Sequence, residues 1–298
     1  MTITNLLTEI IFFEAIMSKY RKIEKSLKAK TTTDGAGVKL KRVFGYYEQK
    51  MFDPFLLLDE FGSNNPDDYI AGFPWHPHRG IETVTYMLSG LVEHADSIGN
   101  KGTIGSGDIQ WMTAGSGIVH TEMPKLFEGR TQGFQLWVNL PKINKMMPPR
   151  YQDIPAKNIP VVSHDKNITV KVISGEYGSI KGPVKDIIAD IEYLDFTIPI
   201  NNEFEIDVNP DYTVFAYIYD GNGIFEKDGY SKTEAGNVIL FGKGDKIYIK
   251  TGREQARFLL ISGKPLNEPI AWGGPIVMNT AEELDIAFEE YRKGTFVK

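Results

Sequence analysis

Short β-forming segments separated by turn residues are the feature that most constrains the fold of this 298-residue chain. Runs rich in Val, Ile, Thr, Phe and Tyr recur at short intervals, with Gly, Asn and Asp between them. This pattern is typical of an all-β sandwich or barrel. The clearest predicted strands are 83–88, 109–113, 134–140, 193–198, 213–219, 237–241 and 256–261. The segment Asp220-Gly-Asn-Gly223 predicts a turn after the fifth of them.

A proline-rich segment, 141–160, separates two β-rich parts of the chain. A Gly-x-Gly-Asp turn occurs on each side of it, at 105–108 and at 242–245, so the second part resembles a repeat of the first. We therefore predict one domain at 20–145 and a second at 146–298. One helix is predicted near the C-terminus, where Thr280 and Glu283 form a capping box and Gly294 marks the end.

The first residues, 1–19, are interpreted as an N-terminal extension, with Met17 as an alternative start. Their apolar run is interrupted by Glu9 and Glu14 and is too short to span a bilayer. We therefore expect a cytoplasmic protein with no membrane partner.

Charge and cysteine content narrow the function classes. The formal net charge is −6 and dense Lys/Arg runs are lacking, so direct nucleic-acid binding is disfavoured. The chain has no cysteine, which excludes disulfides, thiolate metal ligands and a cysteine nucleophile. A metal ion would have to be bound by His, Asp, Glu or backbone atoms, which suits Fe, Mn, Ni, Cu or Zn.

Two pairs of side chains have the spacing of metal ligands on strands. Residues i and i+2 of a strand point to the same face, so His76 and His78 project together, and so do His120 and Glu122. Glu82 has the parity of the first pair and would join it if the strand continued. If the strands are neighbours, these five side chains are candidates to surround one divalent transition metal with an open position for water or substrate.

Simpler interpretations exist for each of these features. A single His-x-His pair is common on solvated strand faces, and His120 alone is compatible with a hydrogen-bonded core histidine. Two such pairs beside Gly-rich bends favour a metal site. For His94, a turn hydrogen bond with Asp96 is the preferred interpretation. Five further apolar side chains are expected either to line a pocket above the metal or to belong to the barrel core: Trp75, Trp111, Met112, Phe134 and Trp137.

Longer motifs around these pairs resemble the signature of the pirin family, a branch of the cupin superfamily. They are Phe73-Pro-Trp-His-Pro-His-Arg-Gly-Ile-Glu-Thr-Val-Thr-Tyr-Met87 and Gly107-Asp-Ile-Gln-Trp-Met-Thr-Ala-Gly-Ser-Gly-Ile-Val-His-Thr-Glu-Met-Pro124. The resemblance covers most of the chain from about residue 20, and it extends to four further segments, at 34–37, 53–62, 148–155 and 274–280.

The resemblance implies two stacked cupin β-barrels, with the metal in the first and a second barrel that lacks the ligand set. The pirin pattern of three histidines and one glutamate falls on His76, His78, His120 and Glu122, and the usual ion of the family is iron. General cupins use the glutamate of the first motif instead, here Glu82. The pirin pattern gives Glu82 a supporting role, in which it orients a histidine or a bound water.

Two functions of different classes follow from the resemblance. The first is a quercetin 2,3-dioxygenase-like reaction, in which a metal such as Fe(II), Mn, Ni, Co, Cu or Zn acts on an aromatic or enolic substrate with O₂, and Glu122 or Glu82 accepts the hydroxyl proton. The second is a metal-dependent, redox-sensitive regulatory protein that binds a transcription factor or a metabolic enzyme.

Overall fold

The computed structural model of the protein describes residues 19–298, so most of the predicted N-terminal extension lies outside the described residues. The described part is mostly β-structure, as predicted. Its strands are β1 Ile23–Lys28, β2 Lys30–Asp34, β3 Val38–Phe44, β4 Phe55–Ser63, β5 Phe73–His78, β6 Ile81–Ser89, β7 Val92–Asp96, β8 Lys101–Ile104, β9 Ile109–Thr113, β10 Ile118–Pro124, β11 Thr131–Asn139, β12 Arg150–Ile154, β13 Val161–Ser163, β14 Thr169–Ser174, β15 Glu176–Tyr177, β16 Ile180–Lys181, β17 Ile191–Ile198, β18 Glu203–Asp207, β19 Thr213–Gly223, β20 Thr233–Glu234, β21 Asn237–Phe241, β22 Lys246–Lys250, β23 Ala256–Gly263, β24 Ala271–Gly273 and β25 Ile276–Met278. The α-helices are α1 Gln49–Phe52 and α2 Ala281–Lys293.

Two large antiparallel sheets dominate the fold. The first has the strand order β12-β9-β6-β11-β4-β3-β2, and the second has the order β1-β21-β19-β23-β17-β14-β13, with β20 beside β19. A four-stranded sheet, β5-β10-β7-β8, accompanies the first large sheet, and the pair β18-β22 accompanies the second. Each half is therefore a pair of sheets with the all-β cupin architecture, although within residues 19–298 the sheets are not closed into barrels by hydrogen bonds.

The two large sheets pack face to face and form the largest core. Alternate residues of one sheet, such as Val84 and Leu136, share a buried cluster with alternate residues of the other, such as Tyr217 and Leu259. Because side chains alternate along a strand, the opposite face of the first large sheet is directed toward the four-stranded sheet. The space between those two sheets holds the candidate site.

The predicted domain boundary does not separate the sheets. β1 pairs with β21 of the second large sheet, whereas β12 pairs with β9 of the first. The C-terminal segment also returns to the first half: Val277 joins a core cluster with Leu56 and Ile81. Whether residues 20–145 and 146–298 fold as separate units stays a prediction.

Local patterns were informative about the elements. Strands 109–113 and 237–241 have the predicted bounds, and α2 begins with the predicted capping box and ends at Gly294, which has φ of 71°. The predicted turn at 220–223 was wrong. β19 continues through this segment with a register shift after Ile218, so the Gly-rich sequence forms an irregular strand.

The described residues contain no helix that is long and apolar enough to cross a membrane.

Candidate metal centre

Three histidines meet between the first large sheet and the four-stranded sheet. β5 and β10 are neighbours in the four-stranded sheet, and His120 lies directly opposite His76. His78 follows two residues after His76 and therefore points to the same side. One ring nitrogen from each of the three imidazoles lies within 4.8 Å of the others. The i, i+2 spacing thus leads to a shared cluster, because the two strands are adjacent.

Hydrogen bonds determine which nitrogen of two histidines carries the proton. Nδ1 of His76 lies 2.8 Å from the carbonyl oxygen of Pro74, and Nδ1 of His78 lies 3.0 Å from that of Pro275. A carbonyl oxygen only accepts, so each Nδ1 is the donor, and the Nε2 of a neutral ring with this tautomer presents a lone pair. Nδ1 of His120 lies 3.1 Å from the hydroxyl of Tyr151, which leaves Nε2 of this ring directed to the cluster as well.

The lone pairs in this cluster fit a cation. Nε2 of His76 and Nε2 of His78 are 3.1 Å apart, and the buried Nε2 of His120 has no hydrogen-bond partner among residues 19–298. Burial lowers the pKa of His78 to about 3 and holds the pKa of His120 well below its usual value, so both rings are neutral. Three imidazoles without sulfur ligands suit a divalent transition metal.

Glu122 lies at the edge of the histidine cluster. Its Oε2 is 3.9 Å from Nε2 of His120, and its Oε1 accepts a hydrogen bond of 3.0 Å from the hydroxyl of Thr85 on β6. Burial raises the pKa of Glu122. A carboxylate in this place is suited to complete a set of four ligands.

The structure does not bring Glu82 into the cluster. The turn at Arg79-Gly80 ends β5, and β6 continues in the other sheet, so parity does not carry over from His78 to Glu82. Glu82 shares the face of β6 with Val84, and this face packs in the core between the two large sheets. There its Oε1 accepts a hydrogen bond of 2.7 Å from Thr113, and burial raises its pKa. This position does not support a role for Glu82 at the metal.

A narrow inner cavity and a wide outer one adjoin the cluster. The inner cavity, about 70 Å³, lies between the sheets and is lined by Glu122, Thr85, Gln135 and Asp59 among mostly apolar side chains. The outer vestibule, about 730 Å³, shares His76, His78 and Trp137 with the inner cavity. Its aromatic walls comprise Tyr46, Phe73, Trp75, Trp137 and Trp272.

The five predicted pocket residues divide between cavity and core. Trp75 and Trp137 line the vestibule, and the ring of Trp137 lies edge-on to His78 at a centroid distance of 5.0 Å. Trp111 and Phe134 are buried between the two large sheets, and Met112 belongs to a second core cluster.

The interpretation of His94 was wrong in its partner. Nε2 of His94 lies 3.2 Å from a carboxylate oxygen of Asp153 on β12. Asp96 instead accepts hydrogen bonds from the backbone N–H groups of Ile98 and Asn100, as a turn residue does. His164 lies in the second half of the chain, far along the sequence from the other histidines. Its Nε2 is 3.0 Å from the hydroxyl of Tyr177.

Three contributors to the site escaped the sequence analysis: Tyr151, Pro275 and the Arg42–Asp59 ion pair. The first two lie within the resembling segments 148–155 and 274–280, but no local pattern indicates that these segments reach the histidines. Asp59 lies within the motif at 53–62, but alternation alone does not tell whether Asp59 or Glu60 faces the cavity.

Paired antiparallel sheets with a cluster of three histidines between them place the chain in the all-β cupin class. Two family models match this chain: the one described as "Pirin" matches residues 37–138, and the one described as "Pirin C-terminal cupin domain" matches residues 193–297. The chain belongs to the pirin family.

Relatives and solved structures agree with this assignment. A "Pirin-like protein" from Caulobacter vibrioides is 45% identical over 278 residues, which cover 93% of this chain and 99% of the relative. "Pirin-like protein 2" from Arabidopsis thaliana is 42% identical and covers 92% and 85% of the two chains. The crystal structure of quercetin 2,3-dioxygenase from Acinetobacter baumannii superimposes with a TM-score of 0.87 at 33% identity, over 93% of this chain and 99% of the other.

Proposed function

We propose that the protein is a metal-dependent dioxygenase that acts with O₂ on quercetin or a similar flavonol or enolic substrate. The observation that carries this proposal is the convergence of one ring nitrogen from each of His76, His78 and His120 beside a cavity with aromatic walls. The similarity to a solved quercetin 2,3-dioxygenase supports the same reaction.

The proposed ligands are His76, His78, His120 and Glu122, and the proposed ion is Fe(II), with Mn, Ni, Co, Cu or Zn as alternatives. A bound ion would supply Lewis acidity for a deprotonated substrate oxygen and, where the ion is redox-active, a path for electrons from the substrate to O₂. The vestibule accommodates a flat aromatic ligand, because Trp75, Trp137 and Trp272 line it.

Metal-free protein reloaded with each ion in turn tests this proposal. O₂ uptake and the loss of quercetin absorbance are followed together. We expect turnover with at least one redox-active ion and none with a His76→Ala variant, whereas His164→Ala, which lies in the second half, keeps the activity. Protein that holds one ion per chain but turns over no faster than His76→Ala would overturn the dioxygenase proposal.

A regulatory function is the second candidate, and one contact favours it. Nδ1 of His78 is tied to the carbonyl of Pro275, which precedes β25 and the surface helix α2. A change in the oxidation state of the ion would therefore act on a segment that leads to the surface. Pull-downs with oxidised and reduced protein test this candidate. Identical sets of bound proteins would count against it.

A further inference from the structure

Four aromatic side chains connect the histidine cluster with the protein surface in one continuous series. The ring of Trp137 lies edge-on to His78 at a centroid distance of 5.0 Å, and Trp272 follows Trp137 at 6.0 Å. Tyr46 follows Trp272 at 5.5 Å, and Tyr47 follows Tyr46 at 5.6 Å. Each of these distances is that of aromatic rings in contact. We call Trp137, Trp272, Tyr46 and Tyr47 the aromatic row.

The exposure of the side chains increases along the aromatic row. His78 is buried, Trp137 and Trp272 are half-buried, and Tyr46 is exposed. Tyr47 is 92% exposed and does not line the vestibule, whereas the other three members of the row do. The row therefore continues beyond the space in which a substrate would stack, and a role as a binding wall does not account for its last member.

Two features of the aromatic row favour the movement of an electron vacancy toward the surface. Nε1 of Trp272 donates a hydrogen bond of 2.7 Å to the carbonyl oxygen of Gly274. A carbonyl oxygen is a weak base, so the indole keeps its proton when the ring loses an electron, and the vacancy stays mobile. The phenol of Tyr47 is surrounded by water, which takes up its proton on oxidation. The vacancy is therefore most stable at the exposed end.

Two other aromatic side chains are close to the cluster, and neither begins a longer series of oxidisable rings. Phe73 lies 6.4 Å from His76, but a phenyl ring is much harder to oxidise than an indole or a phenol. The hydroxyl of Tyr151 lies 3.1 Å from Nδ1 of His120. The ring of Tyr151 stacks on His94, where this series of ring contacts ends within residues 19–298.

The surroundings of the cluster make a route for oxidising equivalents useful. The vestibule, about 730 Å³, gives small molecules access to the histidines. Hydrogen peroxide that meets a redox-active ion there produces strong oxidants beside the imidazole ligands. The chain has no cysteine, so no thiol of its own can absorb them. Tryptophan and tyrosine are then the side chains that lose a single electron most readily.

We propose that the aromatic row carries oxidising equivalents from the metal centre to the surface and so protects the histidine ligands. In the net step, hydrogen peroxide takes one electron from a ferrous ion and one from Tyr47 through the row. One proton from the Tyr47 phenol and one from solvent complete two water molecules. The ion becomes ferric, and Tyr47 becomes a neutral radical that ascorbate or a thiol in solution reduces by one hydrogen atom.

The inference goes beyond the proposed dioxygenase. It needs a redox-active ion held by His78 and its neighbours, but neither a flavonol nor the consumption of O₂.

Peroxide treatment of iron-loaded protein tests the proposal without a substrate. Ferrous protein of measured iron content is mixed anaerobically with an equimolar amount of hydrogen peroxide and a nitroso spin trap, and peptide mass analysis locates the trapped radical. We expect the adduct on Tyr47 and unmodified peptides around His76 and His78. Zinc-loaded protein should carry no adduct, because zinc has no redox chemistry.

Tyr230 is the internal control for oxidants that diffuse through the solvent. It is 93% exposed, as Tyr47 is, but no aromatic ring among residues 19–298 contacts it. We therefore expect Tyr230 to stay unlabelled. Equal labelling of Tyr230 and Tyr47 would overturn the proposal, because it would show that the radical does not travel through the row.

Trp272→Phe interrupts the row with a ring that is harder to oxidise. We expect this variant to lose the Tyr47 adduct and to gain oxidised peptides around the histidine cluster. Trp75→Phe is the matched control, because Trp75 also lines the vestibule but contacts no aromatic ring in the described part of the chain. It should keep the wild-type pattern. Undiminished labelling of Tyr47 in Trp272→Phe would overturn the proposal.

A second variant decides the matter if Trp272→Phe does not fold. Tyr47→Phe changes only an exposed side chain, so its fold is expected to persist. The adduct must then move back along the row to Tyr46, and its absence from the whole row would overturn the proposal.

The two proposals fail in different ways. Protein that forms the Tyr47 radical but consumes no O₂ with quercetin would overturn the dioxygenase and support the aromatic row. Protein that turns over quercetin but leaves Tyr47 unlabelled would overturn the row and leave the dioxygenase intact. Protein that takes up no redox-active ion would overturn both.

Discussion

The Nε2 atoms of His76 and His78 lie 3.1 Å apart, and the Nδ1 atom of each ring donates to a backbone carbonyl. Two acceptors at this distance repel each other unless a cation or a proton lies between them. Burial lowers the pKa of His78 and so disfavours the proton. A metal ion would relieve the repulsion without protonation, so the arrangement suits the proposed metal centre.

Loss of one imidazole should therefore abolish metal binding. Even the loss of a hydrogen-bond partner behind a ligand lowers metal affinity by about 10–100-fold, so removal of a ligand should cost more than about 100-fold. We expect His78→Ala and His120→Ala to lose their metal on dialysis, as measured by elemental analysis. His164→Ala is the control and should retain one ion per chain. A His78→Ala protein that kept its ion would contradict the assignment.

The hydroxyl of Tyr151 should orient His120. It lies 3.1 Å from Nδ1 of that ring, and Tyr151 comes from β12, in the sheet that faces His120. We expect Tyr151→Phe to weaken metal affinity by about 10–100-fold with little loss of fold, as measured by competition with a chelator. Tyr230→Phe, at a residue that is 93% exposed, is the control. Equal affinities in the two variants would exclude this role.

Acid should destabilise the metal-free protein partly through His78. Its pKa falls from 6.5 to about 3 on folding, so between these pH values the native state binds fewer protons than the unfolded chain. The free energy of unfolding therefore decreases as the pH falls from 6.5 to 3, by about 1.4 kcal/mol for each pKa unit.

Urea unfolding at a series of pH values measures this effect. A His78→Gln variant lacks the titrating group, so its stability should decline less than that of the wild type over the same range. Parallel pH dependences of the two proteins would show that His78 contributes nothing to acid sensitivity.

The turn that follows His76 and His78 should couple the stability of the fold to metal binding. Gly80 has φ of +76°, and a Cβ atom there would lie 1.9 Å from the carbonyl oxygen of Val277. Gly80→Ala must displace the segment that also contains Pro275, the partner of His78. We expect a loss of more than about 3 kcal/mol in the free energy of unfolding, together with weaker metal binding.

Gly178→Ala provides the matched control. Gly178 has a similar φ of +61°, but nothing lies within 4 Å of an added Cβ. Only the backbone cost of about 1–2 kcal/mol is expected, with unchanged metal affinity. If the two alanine variants behaved alike, the contact with Val277 would not matter.

Predictions from the sequence succeeded where the structure depends on residues that are close together in the chain. Capping of α2 by Thr280 and Glu283 depends on residues three positions apart, and its bounds followed from them. The i, i+2 projection of His76 and His78 depends on one strand alone. Extension of the same rule to Glu82 failed, because a turn at Gly80 moves the chain from one sheet to the other.

The sequence by itself determined the all-β class, the C-terminal helix and the two pairs of side chains that meet at the site. The tertiary structure alone decided that Asp59 rather than Glu60 faces the cavity. It also decided that Tyr151 and Pro275 contact the histidines, and that Glu82 lies on the opposite face of the first large sheet. The physical reason is that alternation places side chains on the two faces of a strand, whereas long-range sheet pairing decides what each face meets.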